Sequence, residues 1–355
     1  MSVPRRCSAA AVVISILLGA AQSQETSQRL EAGTPADEPR NIQVIDVVVV
    51  ESELGGAFRE PLKCDSEGSV YVRGYDAVLR SKIPIRKFDT QKGVRLASFS
   101  LDSAPGLEFE TGDEFFVAPD GELYWLTATK SERYILTFAK DGTFKGKVKL
   151  EFGKPFLPYQ LAVFAGGEFL ISGLNPEDPG KKSDKKPFTG IFDKQGRLVK
   201  RIALQDDDAI HEAAQRGDSN FTSELYPGQG NRAVSQGAVV GSSDGNVYLM
   251  RRTSPALIYA ISPAGTVVRR ISVDSGDPAL FPMEVHGVEG RLAIMFWNRV
   301  TGESLFKIVE TQTGDVIATY ANQNLFGFTC YTLPQRFTFL STSKGKLAFA
   351  HAEPQ

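Results

Sequence analysis

The stretch Val117–Leu150, VAPDGELYWLTATKSERYILTFAKDGTFKGKVKL, decides the fold. Its two turns, Pro119–Gly121 and Lys140–Gly142, each place a glycine after an aspartate, and glycine accepts the positive φ that tight hairpin turns require. The segments Leu123–Thr127 and Tyr134–Ala139 are rich in aromatic, β-branched and leucine residues, which is typical of half-buried strands. The stretch therefore predicts a four-stranded antiparallel sheet that must cover both of its faces with neighbours.

The same pattern recurs along the chain, with most copies about 45 to 55 residues apart. A glycine turn that would join the first and second strands of a copy occurs six times, at Asp65–Gly68, Pro119–Gly121, Ala165–Gly167, Ser243–Gly245, Val288–Gly290 and Ser343–Gly345. A turn that would join the third and fourth strands occurs at Asp89–Gly93, Asp141–Gly142, Asp193–Gly196, Pro263–Gly265 and Thr311–Gly314. A period near 50 with four strands per unit predicts a β-propeller.

The last copy, Arg336–Glu353, supplies only two strands, interpreted as the first and second of a blade. The isolated β-branched segment Asn41–Val50 precedes the first copy and can provide a missing outer strand. Pairing of this segment with the C-terminal blade would close the ring and remove exposed sheet edges. We therefore predict an all-β, six-bladed propeller of four-stranded antiparallel blades, closed by the N-terminal strand; the alternative is a pair of β-sandwiches.

Two segments carry a resemblance to a known class of propeller. Ser243–Leu249 (SDGNVYL) and Ile191–Gly196 (IFDKQG) resemble the NHL-repeat-like, six-bladed propellers of exported bacterial proteins. The resemblance extends over about residues 41–355. It implies the fold but no single activity, because that class includes protein-binding scaffolds, lactone hydrolases and lyases.

The N-terminal residues indicate export. Arg5 and Arg6 precede an apolar run, and Ala21 and Ser23 are small residues where a signal peptidase would cut, so residues 1–23 are predicted to be a signal peptide. Residues 24–40 are predicted to be a flexible leader, and residues 41–355 a single propeller domain in the periplasm or outside the cell. The apolar run is too short for a membrane span.

Composition excludes some partners. Removal of the signal leaves 38 basic against 42 acidic residues, a formal charge of −4. A mildly acidic chain has no electrostatic reason to bind nucleic acid. We expect a monomer with no stable membrane span.

Cys64 and Cys330 remain after signal removal, near opposite ends of the folded region. Export would allow a disulfide between them. Two separate buried thiols are the alternative, and it is slightly favoured by the sequence. The sequence contains no CxxC motif and no Cys/His cluster, so it does not predict a structural zinc site.

Loop lengths predict which face is functional. The connections between second and third strands, and between one blade and the next, emerge on the face opposite the tight turns. Gly173–Pro187 and Gln205–Gln236 are long insertions on that face, where binding residues usually gather. Asp206–Gly217 within the second insertion is predicted to be a short helix, whose aspartates we interpret as helix caps rather than calcium ligands. The lysine-rich first insertion is interpreted as a solvated loop.

Candidate ligand-binding residues lie in these connections and where the innermost strands begin. Several aromatic residues occupy the connections and could form a shallow apolar site or pack between blades: Phe109, Phe156, Tyr159, Phe281, Phe326 and Tyr331. The predicted ligand-binding set consists of Tyr159, Gln160, Arg232, Gln236, Glu284 and Gln335.

Evidence for catalysis is scarce in the sequence. The chain has three histidines, and no HExxH or P-loop motif occurs. The favoured hypothesis is a non-enzymatic propeller that binds a protein, peptide or glycan through its long-loop face, without a cofactor. The alternative is a metal-assisted, lactonase-like hydrolase or lyase in the central channel, with Glu284 as a ligand of a divalent metal.

Overall fold

Strands make up nearly all the regular structure. The computed structural model describes residues 38–50, 58–74, 83–152, 156–176, 185–216, 232–323, 325 and 327–355, all within the compact unit Ala36–Gln355. The predicted signal peptide and residues 24–37 of the predicted leader lie outside the described residues. The first strand, β1 (Arg40–Val49), begins one residue before the predicted start of the domain.

Four antiparallel sheets of four strands follow β1, and within each sheet the strands are neighbours in chain order. The first contains β2 (Phe58–Cys64), β3 (Val70–Gly74), β4 (Ile85–Asp89) and β5 (Val94–Phe99). The second contains β6 (Thr111–Val117), β7 (Leu123–Ala128), β8 (Arg133–Phe138) and β9 (Phe144–Lys149). The third contains β10 (Leu157–Val163), β11 (Phe169–Pro176), β12 (Lys185–Phe192) and β13 (Leu198–Ile202). The fourth contains β14 (Ala238–Gly241), β15 (Val247–Arg251), β16 (Ala256–Ile261) and β17 (Val267–Val273).

The remaining strands form one sheet of eight. They are β18 (Phe281–Val288), β19 (Arg291–Trp297), β20 (Glu303–Glu310), β21 (Val316–Gln323), β22 (Phe328–Thr332), β23 (Arg336–Ser343) and β24 (Lys346–Pro354), together with β1. The spatial order is β18-β19-β20-β21-β1-β24-β23-β22. Between β21 and β1 the pairing is parallel and is confined to Arg40 and Asn41.

Two short helices, α1 (Asp207–Arg216) and α2 (Arg232–Ser235), lie between β13 and β14. The predicted helix in the second insertion is therefore confirmed as α1. Within the described residues, no helix combines the length and apolar character that crossing a membrane requires.

Aspartate and glycine build the tight turns, as the sequence predicts. Asp120 and Asp141 each accept a hydrogen bond from the backbone N–H two residues later, at 3.0 and 2.9 Å. Gly121 and Gly142 have φ of 85° and 93°, a conformation that side chains with a Cβ disfavour. The carboxylate thus replaces a backbone acceptor inside the turn, and glycine lets the chain reverse.

The first strands of successive sheets stand side by side around a central axis. β2 contacts β6, and the series continues through β10, β14, β18 and β22, which contacts β2 again. Clusters of buried apolar side chains fill the spaces between neighbouring sheets around this ring. The predicted propeller of four-stranded antiparallel blades is confirmed, and the paired β-sandwich alternative is wrong.

The N-terminal strand completes the ring. β1 pairs antiparallel with β24 from Ile42↔Pro354 to Val49↔Ala348, as the closure prediction requires. It also packs as the outer strands of other sheets do. A Cβ on Gly93 would lie 2.5 Å from the carbonyl oxygen of Val49. A Cβ on Gly142 would lie at nearly the same distance, 2.4 Å, from the carbonyl oxygen of Ser98 in β5, the outer strand of the first sheet. β1 therefore occupies the position of a fourth strand before the first sheet.

One strand was not predicted from the sequence. Phe328–Thr332 forms β22, the innermost strand of its sheet, so Arg336–Glu353 supplies the second and third strands rather than the first and second. Gly327 and Pro334 flank this short apolar strand and made it resemble a connection. As a consequence, Gln335 lies in the β22–β23 turn, on the face opposite the long connections.

A disulfide joins Cys64 of β2 to Cys330 of β22, with the Cα atoms 5.5 Å apart. The interpretation as two separate thiols is wrong. The two residues are 266 apart in the chain but belong to adjacent innermost strands, and neither spacing nor composition reveals that proximity. The bond therefore ties the first sheet to the sheet that contains both termini.

Removal of this bond should lower the stability of the ring. We expect Cys64→Ser/Cys330→Ser to reduce the free energy of unfolding by about 2–5 kcal/mol, because the unfolded chain is freed from a long closed loop. Urea unfolding with and without a thiol reductant measures this change in the free energy of unfolding. The oxidised wild type should lose a similar amount on reduction and the double variant nothing. An equal response of both proteins to reductant would contradict the assignment.

Candidate functional site

A cavity of about 370 Å³ lies at the axis of the ring, among the innermost strands β2, β6, β10, β14 and β18. It is bounded by the beginnings of β10, β14 and β18 and by the ends of β3 and β15, so it lies toward the face of the long connections. Its lining consists of Lys63, Arg73, Glu114, Arg133, Leu157, Pro158, Tyr159, Ser235, Gln236, Gly237, Ala238, Arg252, Met283 and Glu284.

Irregularities in strand pairing aim side chains into this cavity. The register of β10 with β11 shifts between Pro158 and Gln160, which leaves Tyr159 as the extra residue. The register of β18 shifts in the same way around Met283. In β6 the shift includes Glu114. A β-bulge turns a side chain away from the regular alternation and is common beside functional sites. Three innermost strands therefore present a residue to the axis where each ladder is interrupted.

An ion pair joins two neighbouring innermost strands, β2 and β6, at the cavity. The Lys63 ammonium lies 2.8 Å from the Glu114 carboxylate, and both side chains are only 13% exposed. The same ammonium donates to the Val239 carbonyl oxygen of β14 at 3.4 Å. Lys63 thus connects innermost strands from three sheets. Its half-buried charge is compensated by one carboxylate and one carbonyl group.

Two arginines approach the cavity at the end of the second sheet. The Arg73 guanidinium, 1% exposed, donates to the carbonyl oxygen of Gly112. Gly112 lies against the Trp125 ring, where a Cβ would come within 2.5 Å of a ring atom. Strand register places Arg133 in the same row as Ala128 and Thr111, next to Gly112. Both arginines therefore reach the same edge of this sheet.

Arg252 lines the opposite side of the cavity. It donates to the Pro282 carbonyl oxygen at 2.7 Å, to the Gln236 side-chain oxygen at 3.2 Å and to the sulfur of Met283. These contacts fix the residues after α2 against the beginning of β18. Gln236 and Met283 are thereby held in place on the cavity wall.

The structure brings three of the six predicted binding residues together, Tyr159, Gln236 and Glu284. Gln160 is 2% exposed, and its amide nitrogen donates to the carbonyl oxygens of Val234 and Gly237 at 2.8 and 3.2 Å, so it supports the wall from behind. Arg232 is buried within α2.

The prediction that Gln335 rings the channel near the other candidates does not agree with its position. It accepts a hydrogen bond from the Tyr320 hydroxyl at 2.8 Å, away from the cavity. The misplacement follows from the unrecognised strand β22, because Gln335 was placed at the beginning of an innermost strand and actually follows one.

Most of the charged residues that line the cavity were not predicted from the sequence. They are Lys63, Arg73, Glu114, Arg133 and Arg252. Position within the repeat points only to residues in the connections and at the beginnings of first strands. Lys63 lies near the end of its strand, and the arginines belong to second and third strands or follow them. The only available signal was a basic residue at the loop-side end of several strands, and that pattern is also common on solvated surfaces.

The aromatic residues in the connections mostly have a structural role. Phe109, Phe156 and Tyr331 are buried, at 5%, 9% and 2% exposure. The alternative that these rings pack between blades is therefore confirmed for them. Phe326 lies outside the described residues.

The long insertions differ from their predicted form. Gly173–Pro187 belongs in part to the strands, because β11 extends to Pro176 and β12 begins at Lys185. Residues 177–184, which include two of the four lysines of the predicted solvated loop, lie outside the described residues, as do residues 217–231 of the second insertion.

The start of α1 is anchored by arginines, so the interpretation of its aspartates as caps needs correction. Asp206 accepts from Arg270 at 2.8 Å and also from the Tyr259 hydroxyl; burial alone would raise its pKa, but these bonds outweigh burial and lower it. Asp207 accepts at 3.1 Å from Arg251, which is fully buried, and burial raises the pKa of Asp207. Side chains of the fourth sheet thus fix α1 to the ring.

His286 lies on β18 beside the axis, and its ring centroid is 4.5 Å from that of Phe328. Burial, together with the positive charge of Lys63, lowers the pKa of His286 to about 3. The imidazole is therefore neutral in the folded protein at ordinary pH. His211 lies on α1, and His351 lies in β24, the third strand of its set.

The metal-dependent alternative finds no donor set in the described part of the chain. Glu114 and Glu284 are the carboxylates that line the cavity, and Glu114 pairs with Lys63. Among the described residues, no three His, Cys, Asp or Glu side chains are grouped so that they could hold a metal ion.

Comparison with known proteins gives only distant structural similarities. No protein-family model and no curated protein sequence matches the chain. Similar solved structures include a Bacteroides caccae protein of unknown function (14% identity, 74% of this chain and 80% of that chain, TM-score 0.44). Others are the Neurospora crassa Pan2 WD40 domain (10%, 90% and 97%, 0.41) and a Staphylococcus aureus virginiamycin B lyase with quinupristin (12%, 87% and 99%, 0.42). Identities this low carry no information about what the chain binds.

The neutral state of His286 should make stability depend on pH. Between pH 3 and 6.5 the unfolded chain binds a proton here that the folded chain does not, so stability falls as pH falls below 6.5. From pH 7 to pH 5 we expect the wild type to lose about 2 kcal/mol more than His286→Phe. Urea unfolding at both pH values measures the difference.

NMR titration gives an independent check. The imidazole signal that disappears in His286→Phe should not shift between pH 7 and pH 5. Titration of that signal near pH 6 would show that His286 is not buried as described.

Proposed function

We propose that this protein is an exported, six-bladed propeller that acts by binding, without catalysis, and that its ligand is a protein, peptide or glycan held in the axial cavity on the long-loop face. The observation that carries the proposal is the convergence of Glu114, Tyr159 and Met283 on one cavity. Each comes from a different sheet and from an irregular point in its strand.

The count of six blades is supported by the division of the eight-stranded sheet. β18–β21 contain the same four-strand order as the other sheets, and β22–β24 with β1 make a second set. Among the described residues, backbone pairing between the two sets is confined to the parallel contact at Arg40 and Asn41. Their innermost strands, β18 and β22, take adjacent places in the ring.

A role in binding is supported by the cost of building the cavity. Bulges interrupt ladder hydrogen bonds, and a half-buried ion pair such as Lys63–Glu114 gains little for stability compared with apolar packing of the same volume. A channel used only as scaffold would be expected to fill with apolar side chains. The polar lining is instead what a ligand site requires.

Export is supported by two features. The first is the N-terminal pattern of a charged segment, an apolar run and small residues at Ala21 and Ser23. The second is the Cys64–Cys330 disulfide, since such bonds persist in oxidising compartments.

Cleavage of the signal can be measured directly. When the full chain is expressed in a bacterial host, the protein in the periplasm or medium should begin at Gln24 by intact mass. Ala21→Arg should block processing, because the peptidase accepts small residues there. Intact, uncleaved wild-type chain in the cytoplasm would contradict export.

Binding through the cavity can be tested with a blocking variant and a matched control. Gln236→Trp places an indole at the cavity, whereas Gln195→Trp makes the same change at an exposed turn on the opposite face. Both residues are exposed, so both variants should keep the wild-type melting temperature. On arrays of defined oligosaccharides and peptides, the probes bound by wild type should be kept by Gln195→Trp and lost, at least tenfold, by Gln236→Trp.

Binding that survives unchanged in Gln236→Trp would place the ligand site elsewhere on the protein. Absence of binding to every probe on both arrays would count against the proposed function itself.

A further inference from the structure

The cavity carries more positive than negative charge. Four cationic side chains line it, Lys63, Arg73, Arg133 and Arg252, against two carboxylates, those of Glu114 and Glu284. The whole chain has the opposite sign, with a formal charge of −2. The excess positive charge is therefore a local property of this cavity, and it attracts an anionic group from solution.

The charge is not evenly divided between the two sides of the cavity. Lys63, Arg73 and Arg133 lie toward the first two sheets with Glu114, whose carboxylate is paired with Lys63. On the other side, Arg252 faces the same region as Glu284. The side formed by the first two sheets thus holds three of the four cationic groups of the lining and one of its two carboxylates.

Arg133 is the cation best placed to meet a ligand. Its side chain is half-buried at the start of β8, where it lines the cavity. Arg73 lies behind at 1% exposure, bound to the Gly112 carbonyl oxygen, and adds its charge from a region of low dielectric. A guanidinium presents paired N–H groups that match the two oxygens of a carboxylate.

The rest of the lining suits a hydroxylated ligand. Nine of the fourteen lining residues carry a polar or charged side chain, whereas pockets for apolar ligands are lined mainly by hydrophobic groups. Gln236, Ser235 and Glu284 offer acceptors and donors opposite Arg133. Among the described residues, Tyr159 provides the one aromatic ring of the lining, between the two charged sides, and a flat ring is suited to stack on the C–H face of a sugar.

We propose that the cavity binds the terminal sugar of an acidic glycan, a uronic acid whose carboxylate pairs with Arg133 and whose ring lies against Tyr159. This inference rests on the proposed function and specifies its ligand class. The sugar hydroxyl groups then face Gln236 and Glu284. A volume of 370 Å³ is at the low end for ligand cavities, which fits one end of a chain rather than a length of it.

Isothermal titration calorimetry on the full mature chain tests the proposal. The probes are galacturonic and glucuronic acid and their short oligomers. Their neutral counterparts are galactose, glucose and the methyl esters of the uronic acids, and a tetraglutamate peptide serves as the acidic competitor. Wild-type protein should bind an acidic sugar or oligomer at least tenfold more tightly than its neutral counterpart, and binding should weaken as salt is raised.

Variants of Arg133 test whether this residue binds the carboxylate of the sugar. Arg133→Gln should weaken binding of the acidic sugar by about tenfold to a hundredfold, because a hydrogen-bonded ion pair is lost. Arg133→Lys should lie between that variant and wild type, since it keeps the charge but loses the paired N–H groups. Arg197→Gln removes a 63% exposed arginine side chain on the tight-turn face and should leave binding unchanged. The methyl esters test the same contact on unaltered protein, even if an Arg133 variant folds poorly.

Three results would overturn the inference. Equal affinity for neutral and acidic sugars would remove the carboxylate from recognition. Tighter binding of the peptide, lost in Gln236→Trp, would assign the cavity to an acidic peptide and leave the proposed function standing. No binding of uronic acids or their oligomers at millimolar concentration would reject the sugar. The proposed function is then rejected together with the sugar only if Gln236→Trp also changes the binding of no probe on the arrays.

Discussion

The burial of each sheet against its neighbours is the constraint on which the rest of the structure depends. A four-stranded sheet such as β6–β9 presents apolar side chains on both faces, with Trp125 on one face and Leu126 on the other, and both are fully buried. Burial of one large apolar side chain contributes about 1.5–3 kcal/mol, whereas an exposed ion pair such as Arg197–Asp193 is screened by water and contributes little. Apolar contacts between sheets therefore decide the fold, and they can be made on both faces of every sheet only if the sheets form a ring.

A ring must also be held where the chain begins and ends. β1 joins the sheet of β22–β24 and packs against the first sheet at Gly93, while the Cys64–Cys330 bond joins the same two sheets near the axis. One connection is at the rim and the other is near the centre, so separation of the two sheets would have to break both. The apolar cluster that contains Val50, Leu62 and Phe349 fills the space between them.

The sequence predicted the repeated parts well and the irregular parts poorly, and there is a physical reason for the difference. The Asp–Gly turns and the alternating strands are local features, so Val117–Leu150 and its copies reveal the sheets directly. The disulfide, the inner position of β22 and the cavity depend on which strands become neighbours after the ring closes. Tyr159, Gln236 and Glu284 could be selected from position within the repeat, but Arg73 and Arg133 reach the cavity only through the register of the first two sheets.

The same irregularities explain how a repetitive fold acquires one specific site. Perfect copies would place equivalent side chains around the axis. The pairing shifts after the second residue of β2, β6, β10 and β18, while β14 pairs without a shift. The asymmetry therefore comes from β14 and from the different side chains at the shifted positions, such as Glu114, Tyr159 and Met283. The ring therefore loses its symmetry at one end of the channel, where Lys63 pairs with Glu114 on one side and Arg252 holds Gln236 and Met283 on the other. Because the apolar contacts between sheets carry the stability, this end of the channel can be polar, asymmetric and charged without endangering the fold.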